Sequence, residues 1–223
     1  MIKYCPTDKL DMQFDCLEHF LNHWYGFTTE KNPKFQCTSP IPQALLTFYQ
    51  NYAVKLDHIM RFNRILSCDE LVYEDNRITF MVENQGVYIW QTNAKGENPE
   101  VYISENIKEK KWLQEEEKLC GFLYQMLLYE AMVGSKYCAT ASWISKDKVN
   151  SIVSKWKVAP FRPMQWPAYP AQLLYIDNAI ALAYPNRDGF CFQCGSNDYN
   201  AINFMHEFTD DTWEAVNIKD GYE

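Results

Sequence analysis

No apolar run in this sequence approaches the roughly 20 residues needed to cross a bilayer, so no membrane association is expected. The opening residues, Met1 to Asp8, have no apolar h-region and no small-residue cleavage site, and the expected location is the cytoplasm. Positive charge is in short supply. With 21 Lys and Arg against 29 Asp and Glu, the net charge is −8 and the isoelectric point is near 5.1. Such a balance argues against DNA or RNA as a direct partner, because phosphates repel it. The familiar nucleophile and phosphate motifs are missing too. There is no Gly-x-Ser-x-Gly, and Gly134-Ser135-Lys136 lacks the glycines that should precede a phosphate loop. Internal repeats and low-complexity tracts are absent. No catalytic residue and no cofactor is expected.

Metal-binding patterns are incomplete. His19 and His23 lie one helical turn apart, with Cys16 nearby, but His-Phe-Leu-Asn-His lacks the glutamate of the zinc-protease motif. Cys191-Phe192-Gln193-Cys194 has knuckle spacing, yet no second Cys-x-x-Cys exists to complete a zinc site. It also falls inside a strand candidate, where a redox motif would open a helix. No metal is expected. The eight cysteines are expected to be reduced and mostly buried.

What the chain does have is apolar and aromatic mass. Hydrophobic residues make up 47% of its 223 positions and aromatic ones 16%, enough for a large core. Phe14, Leu17, Leu21 and Trp24 recur on one face of a helix expected over Asp8 to Tyr25, with Gly26 as its stop. A second helix is expected from Ile41-Pro42, and 57–66 can extend it or break away. A strand-rich block follows. Glu70 to Tyr73 and Ile78 to Val82 flank the turn Glu74-Asp75-Asn76-Arg77, and Val87 to Thr92 follows Asn84-Gln85-Gly86. Gly86 suits a position of positive φ. Val101 to Ile103 is a further short strand. Lys110 to Val133 reads as one helix, with Glu115-Glu116-Glu117 in its early turns. Ser145 caps a helix running to Trp156. The prolines of 159–171 forbid regular helix, and the aromatics among them indicate a packed arm. Leu173 to Ile176, Ala179 to Tyr184, Phe190 to Gly195 and Ala201 to Phe204 read as an antiparallel meander. Asp210 to Val216 reads as a closing helix.

Three of these segments resemble a known family. Ile41-Pro42-Gln43-Ala44-Leu45-Leu46-Thr47-Phe48-Tyr49, Glu83-Asn84-Gln85-Gly86-Val87 with Trp90, and Asn98-Pro99-Glu100-Val101-Tyr102 resemble, in that order, the helix, hairpin and strand motifs of the SUKH (Smi/Knr-like) superfamily. Trp112, Leu119, Phe122 and Leu123 are similar to the helix that follows in it. The chain departs from the pattern at Asn51-Tyr52-Ala53, where a glycine is usual, and at Glu100, where a proline is. The resemblance implies an α+β fold with a single, mostly antiparallel sheet and helices packed against it. It would make 1–223 one domain, with a family-like core over about 39–130 and a C-terminal β-meander and short helix over about 172–217.

The resemblance also implies a non-catalytic role: an immunity protein that neutralises a bacterial toxin, often a nuclease, by stoichiometric binding. The partner would be a basic toxin domain. Acids around the hairpin could form the contact surface, namely Asp69, Glu70, Glu74, Asp75, Glu97 and Glu100, since opposite charge speeds association and adds selectivity. Two alternatives stand beside this reading. One is a regulatory or scaffold module of the same fold. The other is an enzyme of unfamiliar type using clustered carboxylates or the Cys191/Cys194 pair.

Overall fold

A computed structural model describes residues 9–26, 32 and 34–219. The helix start expected at Asp8, Pro33 and the N-terminal residues 1–8 lie outside the described residues. Backbone contacts divide the chain into two compact units, one within residues 5–130 and one formed by residues from 131 onward.

In the first unit, α1 (Leu10–Tyr25) buries Phe14, Leu17, Phe20 and Leu21 along one face. Gly26 ends it at φ 68°, a left-handed conformation in which its N–H donates to the Asn22 carbonyl. The second helix, α2 (Gln43–Tyr52), has Pro42 at its N-cap and hands over through a 3-10 turn to α3 (Leu56–Ile59). Then come β1 (Arg64–Ile65), β2 (Val72–Glu74), β3 (Arg77–Val82), β4 (Tyr88–Asn93), β5 (Glu100–Glu105), β6 (Leu113–Lys118) and α4 (Leu119–Val133), whose last three residues belong to the second unit. The strands form one antiparallel sheet in the order β1-β3-β4-β5-β6, with β2 also paired to β3. Thus 57–66 breaks from the helix, and the Asn-Gln-Gly hairpin joins two central strands as expected.

The helix expected from Lys110 starts nine residues later, at Leu119, and Glu115, Glu116 and Glu117 lie in a strand. Contacts from a distant segment set that start. The Asn98 side-chain oxygen accepts the Cys120 N–H at 2.8 Å and the Pro99 carbonyl accepts the Leu119 N–H at 2.9 Å. Both donors would otherwise be orphans of a helix terminus. Residues 119–132 are buried without exception, so α4 has no solvent face, as a helix apolar on all sides requires. Phe80 and Trp90 pack their rings against Phe122 at 6.0 and 6.1 Å, which seats α4 on the inner face of the sheet. Each such side chain contributes about 1.5–3 kcal/mol on burial.

The second unit contains β7 (Tyr137–Ile144), α5 (Lys146–Val153), β8 (Lys157–Val158), β9 (Gln172–Ile176), β10 (Ala179–Asn186), β11 (Gly189–Ser196), α6 (Tyr199–Ile202) and β12 (Ala215–Asn217). They build a second antiparallel sheet, ordered β12-β7-β11-β10-β9-β8. Phe192 sits between Trp156 and Trp213, at ring distances of 6.0 and 6.2 Å, in the core beneath α5. Ser145 caps α5, accepting the Lys148 N–H. In the proline arm, Phe161, Met164 and Trp166 are buried and Met164 pairs with Ala171.

Two expectations fail here. Residues 201–204 are not a strand: Asp198 caps α6 by accepting the Asn200 N–H at 3.0 Å, and a 3-10 turn follows. Residues 210–216 are not a helix. Asp210 closes a turn by accepting the Thr212 N–H, and 215–217 then pairs with the free edge of β7. The fold is α+β and antiparallel, and the described residues form two six-stranded sheets where one was expected.

Candidate binding groove

The three family-like motifs have a shared physical role in the first unit. Glu83 opens the β3–β4 turn. Its carboxylate accepts the N–H groups of Gln85 and Val87 at 3.0 and 3.2 Å, and its carbonyl accepts that of Gly86 at 2.8 Å. Gly86 itself stands at φ 73°, where a side chain would be strained. Trp90, four residues past the turn, donates its indole N–H to Glu115 of β6 at 3.2 Å. The loop between β4 and β5 then receives two helix starts. The Gly96 and Glu97 carbonyls accept the Gln43 and Ala44 N–H groups of α2, while Asn98 and Pro99 receive α4. Glu83→Ala leaves two turn N–H groups without their acceptor and is expected to cost about 1–3 kcal/mol, read by chemical denaturation.

On the outer face of the same sheet, Gln91 donates to Thr79 at 3.1 Å and to Glu74 at 3.0 Å. The Arg77 guanidinium lies 3.9 Å from the Tyr102 ring centroid and 6.0 Å from that of Trp112, a cation–π stack. The β5–β6 connection runs over this face. It is tied down by Asn106, which donates to the Gly86 and Val87 carbonyls, and by Lys110, which pairs with Glu74 at 3.6 Å. Between that connection and the β1–β2 edge runs a groove of about 270 Å³. Its floor is aliphatic, with Leu66, Val82 and Ile89. Its walls are charged, with the pair Arg64–Glu70 at 2.5 Å on one side and Glu74–Lys110 on the other.

Of the six acids expected to face a partner, Glu70 and Glu74 line this groove, each paired with a base. Glu70 also accepts the Ser67 N–H and hydroxyl at 3.0 and 2.9 Å. The Ser67 N–H first, then the Arg64 guanidinium and the Ser67 hydroxyl, lower its pKa from the ordinary 4.5 to about 2. A carboxyl depressed in the folded state adds stability above its unfolded pKa and loses it as pH falls through the folded one. The bonds to Glu70 therefore add their stability above about pH 4.5 and lose it as pH falls toward about 2, which a carbon-detected NMR titration of Glu70 would follow. Asp69 is exposed beside that turn. Asp75 and Glu97 are exposed at the other end of the sheet, on turns joined by the Ala94 N–H to the Asn76 carbonyl at 2.8 Å. Glu100, half-buried, starts β5 opposite Lys118. The six do not gather into one patch; they divide between the groove and the two ends of the sheet. Their distribution still has a sign. Residues 5–130 hold 19 carboxylates and 12 basic side chains, against 10 and 9 in the rest, so nearly all the net negative charge belongs to the first unit.

Arg64, Asn106 and Lys110 were not foreseen. Only the tertiary fold brings them opposite Glu70, Gly86 and Glu74, and no local spacing announces it. His19 and His23 are both exposed on α1. Among the described residues no three His, Cys, Asp or Glu side chains group as metal ligands. Cys191 and Cys194, three apart on a strand, point to opposite faces of β11, and Cys194 belongs to the core beneath α5. Burial raises the pKa of both thiols. No family model matches this chain, and neither a curated protein nor a solved structure is found to match it.

Proposed function

We propose that this protein acts by binding another protein, and that it is a SUKH-like immunity protein neutralising a basic toxin domain by stoichiometric contact. One observation supports this above the others: each of the three motifs on which the family resemblance rests supplies hydrogen bonds that build the sheet or start a helix against it. Glu83 builds the hairpin turn, the Gly96–Pro99 loop receives the first N–H groups of α2 and α4, and Trp90 bonds across to β6. The excess of acids in residues 5–130 adds the charge that a basic partner would meet, and the charged groove on the outer sheet face adds shape. The groove walls exchange partners readily in this scheme, because an incoming arginine can take Glu74 from Lys110.

The deciding experiment is co-expression with the products of the genes that flank this one, each first tested alone for toxicity. The expected results are rescue of growth, a one-to-one complex on size exclusion, and affinity that falls with added salt. Charge reversal at exposed positions, Asp69→Lys with Asp75→Lys, is expected to slow association about tenfold and leave stability within about 0.5 kcal/mol. A partner that forms the complex but is not toxic would move the reading to a regulatory module. No complex and no rescue would end it.

A further inference from the structure

Two cysteines meet in the first unit, outside the groove. Cys37 lies in the segment that leads into α2, and Cys68 in the turn between β1 and β2. The two side chains are near enough to interact, and both are free and half-buried. The surrounding contacts hold the two segments against one another. The Tyr73 hydroxyl of β2 donates to the Pro40 carbonyl at 3.2 Å, and the Tyr49 hydroxyl of α2 donates to the Leu66 carbonyl at 2.5 Å. The Phe35 ring lies 5.7 Å from that of Tyr49. Both tyrosines lie near both cysteines. Cys37 also lines a hollow of about 390 Å³ with Ile41, Leu46 and Gln50, large enough to admit a small molecule to its sulfur.

We propose that Cys37 and Cys68 form a redox-modification site that takes a small disulfide of the glutathione class and closes into an intramolecular bond. The steps balance. The Cys37 thiolate attacks one sulfur of the small disulfide, a mixed disulfide forms, and one small thiolate leaves and picks up a proton. Cys68 then gives its proton to solvent and attacks the Cys37 sulfur, forming the Cys37–Cys68 bond and expelling the second small thiolate, which is protonated in turn. Two protein thiols are oxidised by two electrons and one small disulfide is reduced to two thiols. Burial, first, and then the neighbouring Cys37 push the Cys68 thiol up to about 12, which leaves the first attack to Cys37 and makes the second, resolving attack the slow step, carried by the closeness of the two cysteines. The closed bond would tether the segment before α2 to the turn that holds Glu70, one wall of the groove. The site goes beyond the proposed function and stands whether or not a toxin is the partner.

The test uses the full chain incubated in reduced and oxidised glutathione at graded ratios. Samples are quenched in acid, unfolded, alkylated and mapped as peptides. Cys37 and Cys68 are expected to leave the alkylated pool together, with a cross-linked peptide appearing, at ratios where the half-buried Cys16 and Cys138 remain alkylated. Dithiothreitol should restore both. In Cys68→Ser the reaction should stop at a glutathione adduct on Cys37, and in Cys37→Ser the remaining Cys68 should stay alkylatable. The oxidised wild type should also denature at a higher urea midpoint than the reduced form. Separate adducts on the two cysteines without a cross-link would overturn the proposal. So would oxidation of Cys16 or Cys138 at the same ratios, or no reaction of the pair in oxidised glutathione alone.

Discussion

Glu130→Ala is expected to lower stability by about 3–5 kcal/mol, the largest loss from any single carboxylate in the first unit. Glu130 sits on α4 with no exposed surface, yet it is the hub of a distant loop. Its Oε2 accepts the N–H groups of Arg61 and Phe62, both at 2.6 Å, and its Oε1 accepts that of Asn63 at 2.8 Å. These three donors follow α3, where the chain has stopped being helical and has not yet entered β1. A loop there can be buried only if its N–H groups find acceptors. Alanine removes both acceptor atoms and leaves three donors facing a cavity. Glu130→Gln keeps one oxygen but turns an amide N–H₂ toward N–H donors, so it should recover less than half of the loss. Equilibrium unfolding in urea, at constant m-value, reads the difference.

The same carboxyl has a pH signature. Burial raises its pKa above 4.5, and the three backbone N–H groups pull it part of the way back. Because the folded value lies above the unfolded one, the folded state binds the proton more tightly. The stability this adds is complete below the unfolded pKa and is lost as pH rises through the folded one. The Gln variant has nothing to titrate there. Its deficit relative to wild type should therefore be larger at acid pH than at neutral pH. A deficit independent of pH would mean that Glu130 titrates alike in both states.

Elements whose signals are local are legible in the sequence. The stripe of α1 and its glycine stop need only a few neighbouring residues, and so do the β3–β4 hairpin and Gly86, because turn chemistry and helical periodicity act over that range. The start of α4 is not legible, since Asn98 and Pro99 set it from across a strand and a loop. An apolar helix preceded by Glu115-Glu116-Glu117 looks continuous until Glu115 is seen to receive the Trp90 indole. Residues 215–217 fail for a similar reason. Nothing local favours a strand there, and the free edge of β7 recruits one. The acids around the hairpin were legible as acids, but their partners were not. Arg64 and Lys110 pair with two of them to make the groove walls, which no reading of composition or spacing could supply.

Gly195→Ala is expected to cost about 3 kcal/mol or more, although alanine is the smallest possible addition. The strain does not come from the backbone angle of Gly195, which is ordinary for a strand; it comes from space. Gly195 lies on β11, paired with Ile180 of β10 on one side and Cys138 of β7 on the other, so the strand is held from both edges. A methyl group there would run into the carbonyl oxygen of Met132 well inside contact distance and come within 2.8 Å of the Ser135 Cβ. The Ser135 hydroxyl donates to the Ala131 carbonyl at 2.8 Å, which fixes the chain just past α4 against the sheet. Neither a backbone carbonyl nor a strand paired on both edges can give way cheaply. Gly86→Ala makes the instructive comparison. Nothing stands within 4 Å of an added Cβ there, and only the positive φ of 73° resists, so the cost should be about 1 kcal/mol. If unfolding in urea ranked Gly86→Ala above Gly195→Ala, the close approach of the end of α4 to β11 would be wrong. With the expected ranking, the two glycines separate into one needed for its backbone angle and one needed for the room it leaves.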